Sequence, residues 1–195
     1  MLDERLRGII REDQRLMAIL QAAREVNLPE WYIGAGVIRN TVWDYLHGYP
    51  GRSQLRDVDL AYFDRNDLSD QMGESVLLTL IHLVPDVEWD VVNQAGVHLW
   101  YKDAFGHAVE PLQSCEAGID TWPETATCVA VRLLEDDSLH IYAPYGLEDL
   151  FNIVLRRNPI RVTPEIFEQR YIKKRIKEKW PQVQIIETVS EVTPR

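Results

Sequence analysis

The feature that most constrains the fold is the run from Asp57 to Asp64, in which two aspartates alternate with apolar residues. We expect a β-strand over residues 57–63. Because strand side chains point alternately to two faces, Asp57 and Asp59 should project from one face, roughly 6–7 Å apart. Two carboxylates on one face of a largely buried strand repel each other and lose hydration. Their presence therefore predicts a bound divalent cation.

The charge of the chain excludes several classes of binding partner. The 195 residues carry a formal net charge of −10, and 46% of them are hydrophobic, which is ample for the core of one domain. DNA, RNA and anionic membranes favour a basic surface, so general nucleic-acid binding is not expected. A small anionic substrate held through metal ions remains compatible with this charge.

The sequence carries no signal for export or for a membrane partner. The first residues lack the apolar core of a signal peptide, and no apolar run is long enough to span a bilayer. Only two cysteines occur, Cys115 and Cys128, which do not make a disulfide framework. We therefore expect a reduced, cytoplasmic protein with buried thiols.

The apolar pattern predicts an α/β (α+β) fold in which helices flank a small mixed sheet. We expect one domain over residues 1–195, with a core of about 15–143 and a helical C-terminal extension of about 144–195. Predicted helices cover 3–26 with a break near 10–13, 37–47, 66–83, 111–120, 146–157 and 163–179. Predicted strands cover 31–33, 57–63, 87–92 and the hairpin of 127–134 with 139–142. Residues 93–107 are predicted as a polar connection, and the tail beyond 181 as a terminal strand or disorder.

Three features combine into one candidate site. Gly34 and Gly36 lie between a strand and a helix, where glycine lets the backbone approach a ligand and the helix N-terminus offers free N–H groups to phosphate. Taken alone, such glycines usually serve only the geometry of the turn. The aspartate pair lies on the next strand and Asp90 on the one after it. Three carboxylates on neighbouring strands could hold two Mg²⁺ ions that activate a hydroxyl and neutralise a phosphoryl group.

This order of Gly-Ala-Gly, Asp-x-Asp and a later lone aspartate resembles the polymerase-β-like nucleotidyltransferase superfamily. Longer stretches are similar to a bacterial family of nucleotidyltransferase-like proteins, and the likeness covers about residues 15–180. The stretches that carry it are residues 33–44, 57–64, 92–95 with 98–100, 122–126 and 143–151.

The resemblance implies a minimal nucleotidyltransferase fold that moves NMP from an NTP to a hydroxyl acceptor, with two Mg²⁺ or Mn²⁺ ions and release of pyrophosphate. Under it, Asp57 and Asp59 match the paired metal ligands, and Asp90 matches the carboxylate that also positions or deprotonates the acceptor hydroxyl. Gly34 and Gly36 match the turn on the phosphate side. The resemblance leaves open which NTP and which acceptor are used, and the oligomeric state.

Two departures from the superfamily pattern keep a second function open. The superfamily usually has Gly-Gly or Gly-Ser at the turn, and its spacing to the aspartates is shorter. The alternative is a catalytically degenerate fold that serves as a binding or regulatory protein, for example in a toxin–antitoxin pair. A glycosyltransferase also uses Asp-x-Asp but fits poorly, because such domains normally have a larger nucleotide-binding half before the motif.

Basic residues provide further candidates for phosphate binding. Arg39 and Asn40 begin the helix after the glycines, and the planar fork of arginine suits phosphate oxygens. The alternative for both is a solvated helix face. Arg56 and Lys102 are weaker candidates, expected on the surface. The basic cluster at 171–180 could contact an RNA acceptor or an acidic partner, but we expect it to form a charged outer helix face.

Overall fold

The computed structural model describes residues 1–49 and 57–187. The sequence also predicts that Pro50 and Gly51 help to end the helix over 37–47, and both of them and the candidate Arg56 lie outside these residues. The helices are α1 (Leu2–Glu12), α2 (Gln14–Glu25), α3 (Gly36–His47), α4 (Asp70–Leu83), α5 (Val97–Phe105), α6 (Cys115–Ile119), α7 (Glu148–Phe151), α8 (Pro164–Lys173) and α9 (Ile176–Lys179). The strands are β1 (Tyr32–Gly34), β2 (Asp57–Tyr62), β3 (Glu88–Asn93), β4 (Ala130–Leu133), β5 (Leu139–Tyr142), β6 (Val154–Arg156) and β7 (Gln184–Ile186).

The predicted mixed sheet flanked by helices is confirmed. Five strands pair in the order β3-β2-β1-β4-β5, and β3 lies at one edge. The β2–β3 pair is parallel, whereas β1–β2, β1–β4 and β4–β5 are antiparallel. A parallel pair needs a crossover connection, and α4 provides it between β2 and β3.

Strand β2 shows why its aspartates remain accessible. Val58 and Leu60 are fully buried in the main core, together with apolar residues of α1, α2 and α3. Ala61 belongs to a smaller cluster on the opposite side of the sheet. Because side chains alternate along a strand, Asp57 and Asp59 share the face of Ala61, which is not the face covered by α1, α2 and α3.

Local signals in the sequence account for several helix boundaries. Asp13 separates α1 from α2, and its side chain accepts hydrogen bonds from the backbone N–H groups of Arg15 and Leu16, as an N-cap does. This confirms the break expected near residues 10–13. Gly48 ends α3 in the left-handed conformation. The Thr163 hydroxyl caps α8, with proline in the first turn.

The predictions for two segments, one connection and one helix, are wrong. Residues 93–107 are not a loop, because a 3-10 turn leads into α5, whose Val97 and Tyr101 are buried at helical spacing. Residues 146–157 are not one helix, since the chain reverses at Ile153, which has a φ of 55°, and continues as β6. Strand β6 pairs in parallel with β7, so the C-terminal extension is not purely helical.

The C-terminal part of the chain is anchored on α3 through two tryptophans. The Trp180 indole N–H donates to the Asp44 carboxylate at 2.7 Å, and that of Trp43 donates to the Leu150 carbonyl at 2.9 Å. The two indole rings meet edge to face with centroids 5.4 Å apart. Trp180 is only 1% exposed, so this contact lies within the core.

The two thiols lie where the sequence predicts them. Cys115 and Cys128 are free and buried, and burial raises the pKa of each. Within the part of the chain that the structure describes, no helix combines the length and the apolar character needed to cross a membrane.

Trp180→Phe tests the anchor on α3. The substitution keeps a buried ring but removes the N–H that donates to Asp44, so we expect it to lower the free energy of unfolding by about 1–3 kcal/mol. Trp180→Ala should lower it further, by about 3–5 kcal/mol, because it also leaves a cavity. Urea unfolding measures both. Trp100→Phe, at a residue 44% exposed, is the control and should stay within about 0.5 kcal/mol. Unchanged stability of Trp180→Phe would contradict a contribution from this hydrogen bond.

Candidate functional site

The pairing of β2 with β3 brings acidic residues together on one face of the sheet. In the parallel register, Asp59 lies opposite Asp90 and Asp57 lies opposite Glu88. Residues aligned in this way project to the same side. Asp59 is half-buried, whereas Asp57 and Asp90 are exposed. The three aspartates singled out by the sequence are therefore neighbours, and Glu88 is a fourth acidic residue that the sequence reasoning missed.

The repulsion between these carboxylates shows in their pKa values. Burial, together with the charges of Asp90 and Asp57, raises the pKa of Asp59 to about 6, against the lowering effect of Lys174 and Arg170. Burial and the Asp57 charge also raise the pKa of Asp90. Ionisation of Asp59 and of Asp90 is therefore less favourable than that of a free carboxyl group.

The acidic residues do not form a finished coordination shell. Among residues 1–49 and 57–187, no three His, Cys, Asp or Glu side chains are gathered into a group that could hold a metal ion as they stand. Like charges oppose such convergence. The face offers carboxylate oxygens, the donors that Mg²⁺ prefers, but the side chains would have to draw together around an ion.

The carboxylates open into a cavity of about 400 Å³. Asp59 and Asp90 line one wall, and Ala35 and Gly36 line it where β1 leads into α3. Arg170 and Lys174 also line it, at the C-terminal end of α8. Acidic and basic groups therefore face the same cavity, which is of the size that binds one small molecule.

The two predicted glycines have different roles. A Cβ at Gly34 would lie 2.7 Å from ring atoms of Trp122 and 2.9 Å from the Val129 carbonyl oxygen, so close packing requires this glycine. Gly36 lines the cavity, and a Cβ there would meet nothing within 4 Å. Only Gly36 is therefore placed to contact a ligand.

The turn between the glycines is strained. Ala35, the N-cap residue of α3, has φ 55° and ψ −125°, a conformation that side-chain-bearing residues rarely adopt. Such strain costs about 1–3 kcal/mol and is typical of functional sites. The first N–H groups of a helix have no partner within it. Those of α3 follow Ala35 and Gly36 directly, so this helix N-terminus begins at the cavity.

Arg39 and Asn40 are not on the surface of the cavity formed by the described residues. Arg39 is 3% exposed, and its guanidinium lies 5.3 Å from the Trp43 ring centroid and 5.5 Å from that of Trp180. It donates to the Asn40 side-chain oxygen. Burial lowers the pKa of Arg39, and Glu124 opposes that shift. A solvated helix face is therefore wrong for Arg39, whose charge acts from beneath the site.

Sequence reasoning missed the basic wall of the cavity, which is formed by Arg170 and Lys174. Arg170 donates to the Glu124 carboxylate at 3.0 Å, and Glu124 is 3% exposed. Burial and the charges of Arg39 and Arg170 lower the pKa of Lys174. Three cations thus lie near one buried glutamate, so this end of the cavity favours an anion. Lys174 is exposed, as expected for an outer helix face, but it also lines the cavity. The four-residue spacing of Arg170 and Lys174 on one helix face was the available signal.

Comparisons with known proteins found a family match and similar solved structures. A family model described as nucleotidyltransferase matches residues 21–185. A solved structure described as revealing a CCA-adding enzyme head domain superposes with a TM-score of 0.79 at 28% identity, covering 95% of this chain and 96% of that chain. A tRNA-processing enzyme in an apo form matches with a TM-score of 0.47 at 18% identity, covering 94% of this chain and 44% of that chain. A tRNA-processing enzyme structure with CTP gives 0.45 at 19% identity, covering 90% and 43%. No curated protein sequence matches the chain.

Asp59→Asn tests how far ionisation of the half-buried Asp59 carboxyl group lowers the free energy of unfolding. The native pKa of about 6 lies above the ordinary 3.8, so the folded protein holds this proton more tightly than the unfolded chain does. Stability is therefore lost as the pH rises from about 4 to about 6. Without divalent cations at about pH 7.5, Asp59→Asn should raise the free energy of unfolding by about 1–2 kcal/mol, after allowance for partial exposure. The gain should disappear near pH 4.

Denaturant unfolding at the two pH values measures this difference. Asp103→Asn, at an exposed position on α5, is the control and should change stability little at either pH. An equal gain from Asp59→Asn at both pH values would show that the gain does not arise from ionisation.

Proposed function

This chain belongs to the nucleotidyltransferase family, and on that premise we propose that it transfers NMP from an NTP to a hydroxyl acceptor at the β2–β3 carboxylates, using divalent metal ions. The observation that carries the proposal is the alignment of Asp59 with Asp90 in a cavity whose other lining includes Arg170 and Lys174. The likeness to the CCA-adding enzyme head domain, which extends over nearly the whole of both chains, supports the same reaction class.

The acidic wall of the cavity, lined by Asp59 and Asp90, suits Mg²⁺ or Mn²⁺. Asp57, Asp59 and Asp90 supply hard oxygen donors from neighbouring strands, and their mutual repulsion is relieved when a cation binds. When bound, such ions polarise phosphoryl oxygens and lower the pKa of a hydroxyl nucleophile. The position of β3 at the sheet edge supports a role for Asp90 in orienting an acceptor hydroxyl that arrives from that side.

The basic wall suits the triphosphate. Lys174 and Arg170 can donate to the β- and γ-phosphates, while the N-terminus of α3 at Gly36 offers backbone N–H groups. The same groups stabilise the charge that develops on pyrophosphate as it leaves. Glu124 holds Arg170 in position through their 3.0 Å hydrogen bond, so the guanidinium is preorganised.

Replacing single carboxylates tests the reaction. Asp59→Asn and Asp90→Asn should each lower the rate of metal-dependent nucleotidyl transfer by at least about a hundredfold, because each removes charge stabilisation worth several kcal/mol. The assay follows transfer of label from α-³²P-labelled NTPs, tested singly with Mg²⁺ or Mn²⁺, to RNA, protein and small hydroxyl acceptors. Asp103→Asn is the control and should retain the wild-type rate. Equal transfer by wild type and Asp59→Asn would contradict the proposal.

A degenerate, non-catalytic relative would give a different result. Wild-type protein would then bind Mg²⁺–NTP in calorimetry, or bind a protein partner, without any transfer of label. The incomplete gathering of carboxylates among the described residues is the structural feature that favours this second function, and the labelling assay separates the two.

Lys174→Met tests the phosphate role of the basic wall. The substitution keeps the length of the side chain and removes its charge, so we expect affinity for Mg²⁺–tripolyphosphate to fall by roughly 10- to 100-fold. Lys173→Met is the matched control, since Lys173 is exposed on the same helix and does not line the cavity. Isothermal calorimetry measures both. Equal affinities for the two variants would exclude Lys174 as a phosphate ligand.

A further inference from the structure

Four neighbouring aromatic side chains line one part of the cavity. They come from α5 and the turn that ends it, and we name them the aromatic shelf: Trp100, Tyr101, Phe105 and His107. The Tyr101 ring centroid lies 4.5 Å from that of Phe105 and 5.3 Å from that of His107. Trp100 lies 6.1 Å from Tyr101 and 6.4 Å from Phe105. The rings therefore form one continuous surface.

The aromatic shelf leaves large rings uncovered. Trp100 is 44% exposed and Phe105 is 56% exposed, although other large side chains of this protein are fully buried. The Arg161 guanidinium lies 4.9 Å from the Tyr101 ring centroid and lines the same cavity. Exposed aromatic surface beside a stacked guanidinium is suited to a planar, electron-rich ring, because both groups stack on π systems.

The aromatic shelf lines the same cavity as the acidic wall. Asp90, Val92 and Gln94 line the cavity along β3 and the turn that follows it, and α5 begins three residues after Gln94. A carboxylate and the aromatic shelf therefore border the same cavity and come from neighbouring parts of the chain. Arg170 and Lys174 line the same cavity, which has about 400 Å³ for a ligand.

We propose that the aromatic shelf is the subsite for the base of the bound NTP. The inference rests on the proposed function, which assigns the phosphates to Arg170 and Lys174. A single nucleotide has an anionic end and a planar aromatic end, and this one cavity offers a surface that matches each. Base stacking on aromatic side chains is tolerant of base identity. The shelf should therefore raise affinity for all four NTPs, with polar selection left to groups such as Gln94.

The experiment compares an NTP with its phosphates alone. Binding of Mg²⁺–ATP, Mg²⁺–CTP and Mg²⁺–tripolyphosphate is measured by calorimetry for wild type, Trp100→Ala, Trp100→Phe and Leu99→Ala. Trp100→Ala should weaken both nucleotides by roughly 10- to 100-fold and leave tripolyphosphate within about twofold. Trp100→Phe, which keeps a ring, should recover most of the affinity. Leu99 is 62% exposed beside Trp100 and does not line the cavity, so Leu99→Ala should match wild type.

The outcomes separate this proposal from the one on which it rests. Tripolyphosphate binding by all four proteins, with nucleotide affinities unaffected by Trp100→Ala, would overturn the base subsite and leave the proposed function standing. Weaker binding of a short single-stranded RNA by Trp100→Ala, with unchanged NTP affinity, would assign the shelf to an acceptor and also overturn it. If wild type binds neither nucleotide nor tripolyphosphate, both proposals fail. Circular dichroism of Trp100→Ala verifies that the variant is folded.

Discussion

The site depends on the parallel, in-register pairing of β2 with β3. This pairing places Asp59 opposite Asp90, and strand alternation gives both side chains the same face. A shift by one residue would turn one of the two carboxylates toward the main core, where Val58 and Leu60 are fully buried. The hydrophobic core therefore fixes the register, and the register in turn fixes the distance between the charges. In this fold the acidic pair follows from how the apolar residues of β2 pack.

The carboxylates are predictable from sequence because their signal is local. A strand of alternating residues shows its two faces within a few positions, so the alternation by itself assigns Asp57 and Asp59 to one side of the sheet. Asp90 can be predicted in a similar way, because it lies in the strand that follows next along the sequence. The break at Asp13 is equally visible, since a capping side chain acts on residues two and three positions away.

What sequence could not provide depends on contacts between distant residues. The helix predicted over 146–157 fails because β6 pairs with β7, about thirty residues later. Arg39 looked suited to phosphate, but Trp43 and Trp180 bury it. Lys174 looked like part of a solvated helix face, yet the docking of α8 brings it to the cavity. Helical periodicity describes which residues share a face but not what that face packs against.

The C-terminal segment is therefore part of the site. The Trp180–Asp44 hydrogen bond ties the chain after α9 to α3, the helix whose N-terminus opens at the cavity, and Arg170 and Lys174 reach that cavity from α8. Each wall alone is electrostatically unfavourable, since carboxylates repel one another on one side and cations crowd on the other. A ligand that carries both a divalent cation and phosphates would reduce the repulsion between like charges on both walls. A free cation or a free anion would reduce it on only one of them, so the charge pattern of the cavity supports the proposed binding of a divalent cation together with phosphates.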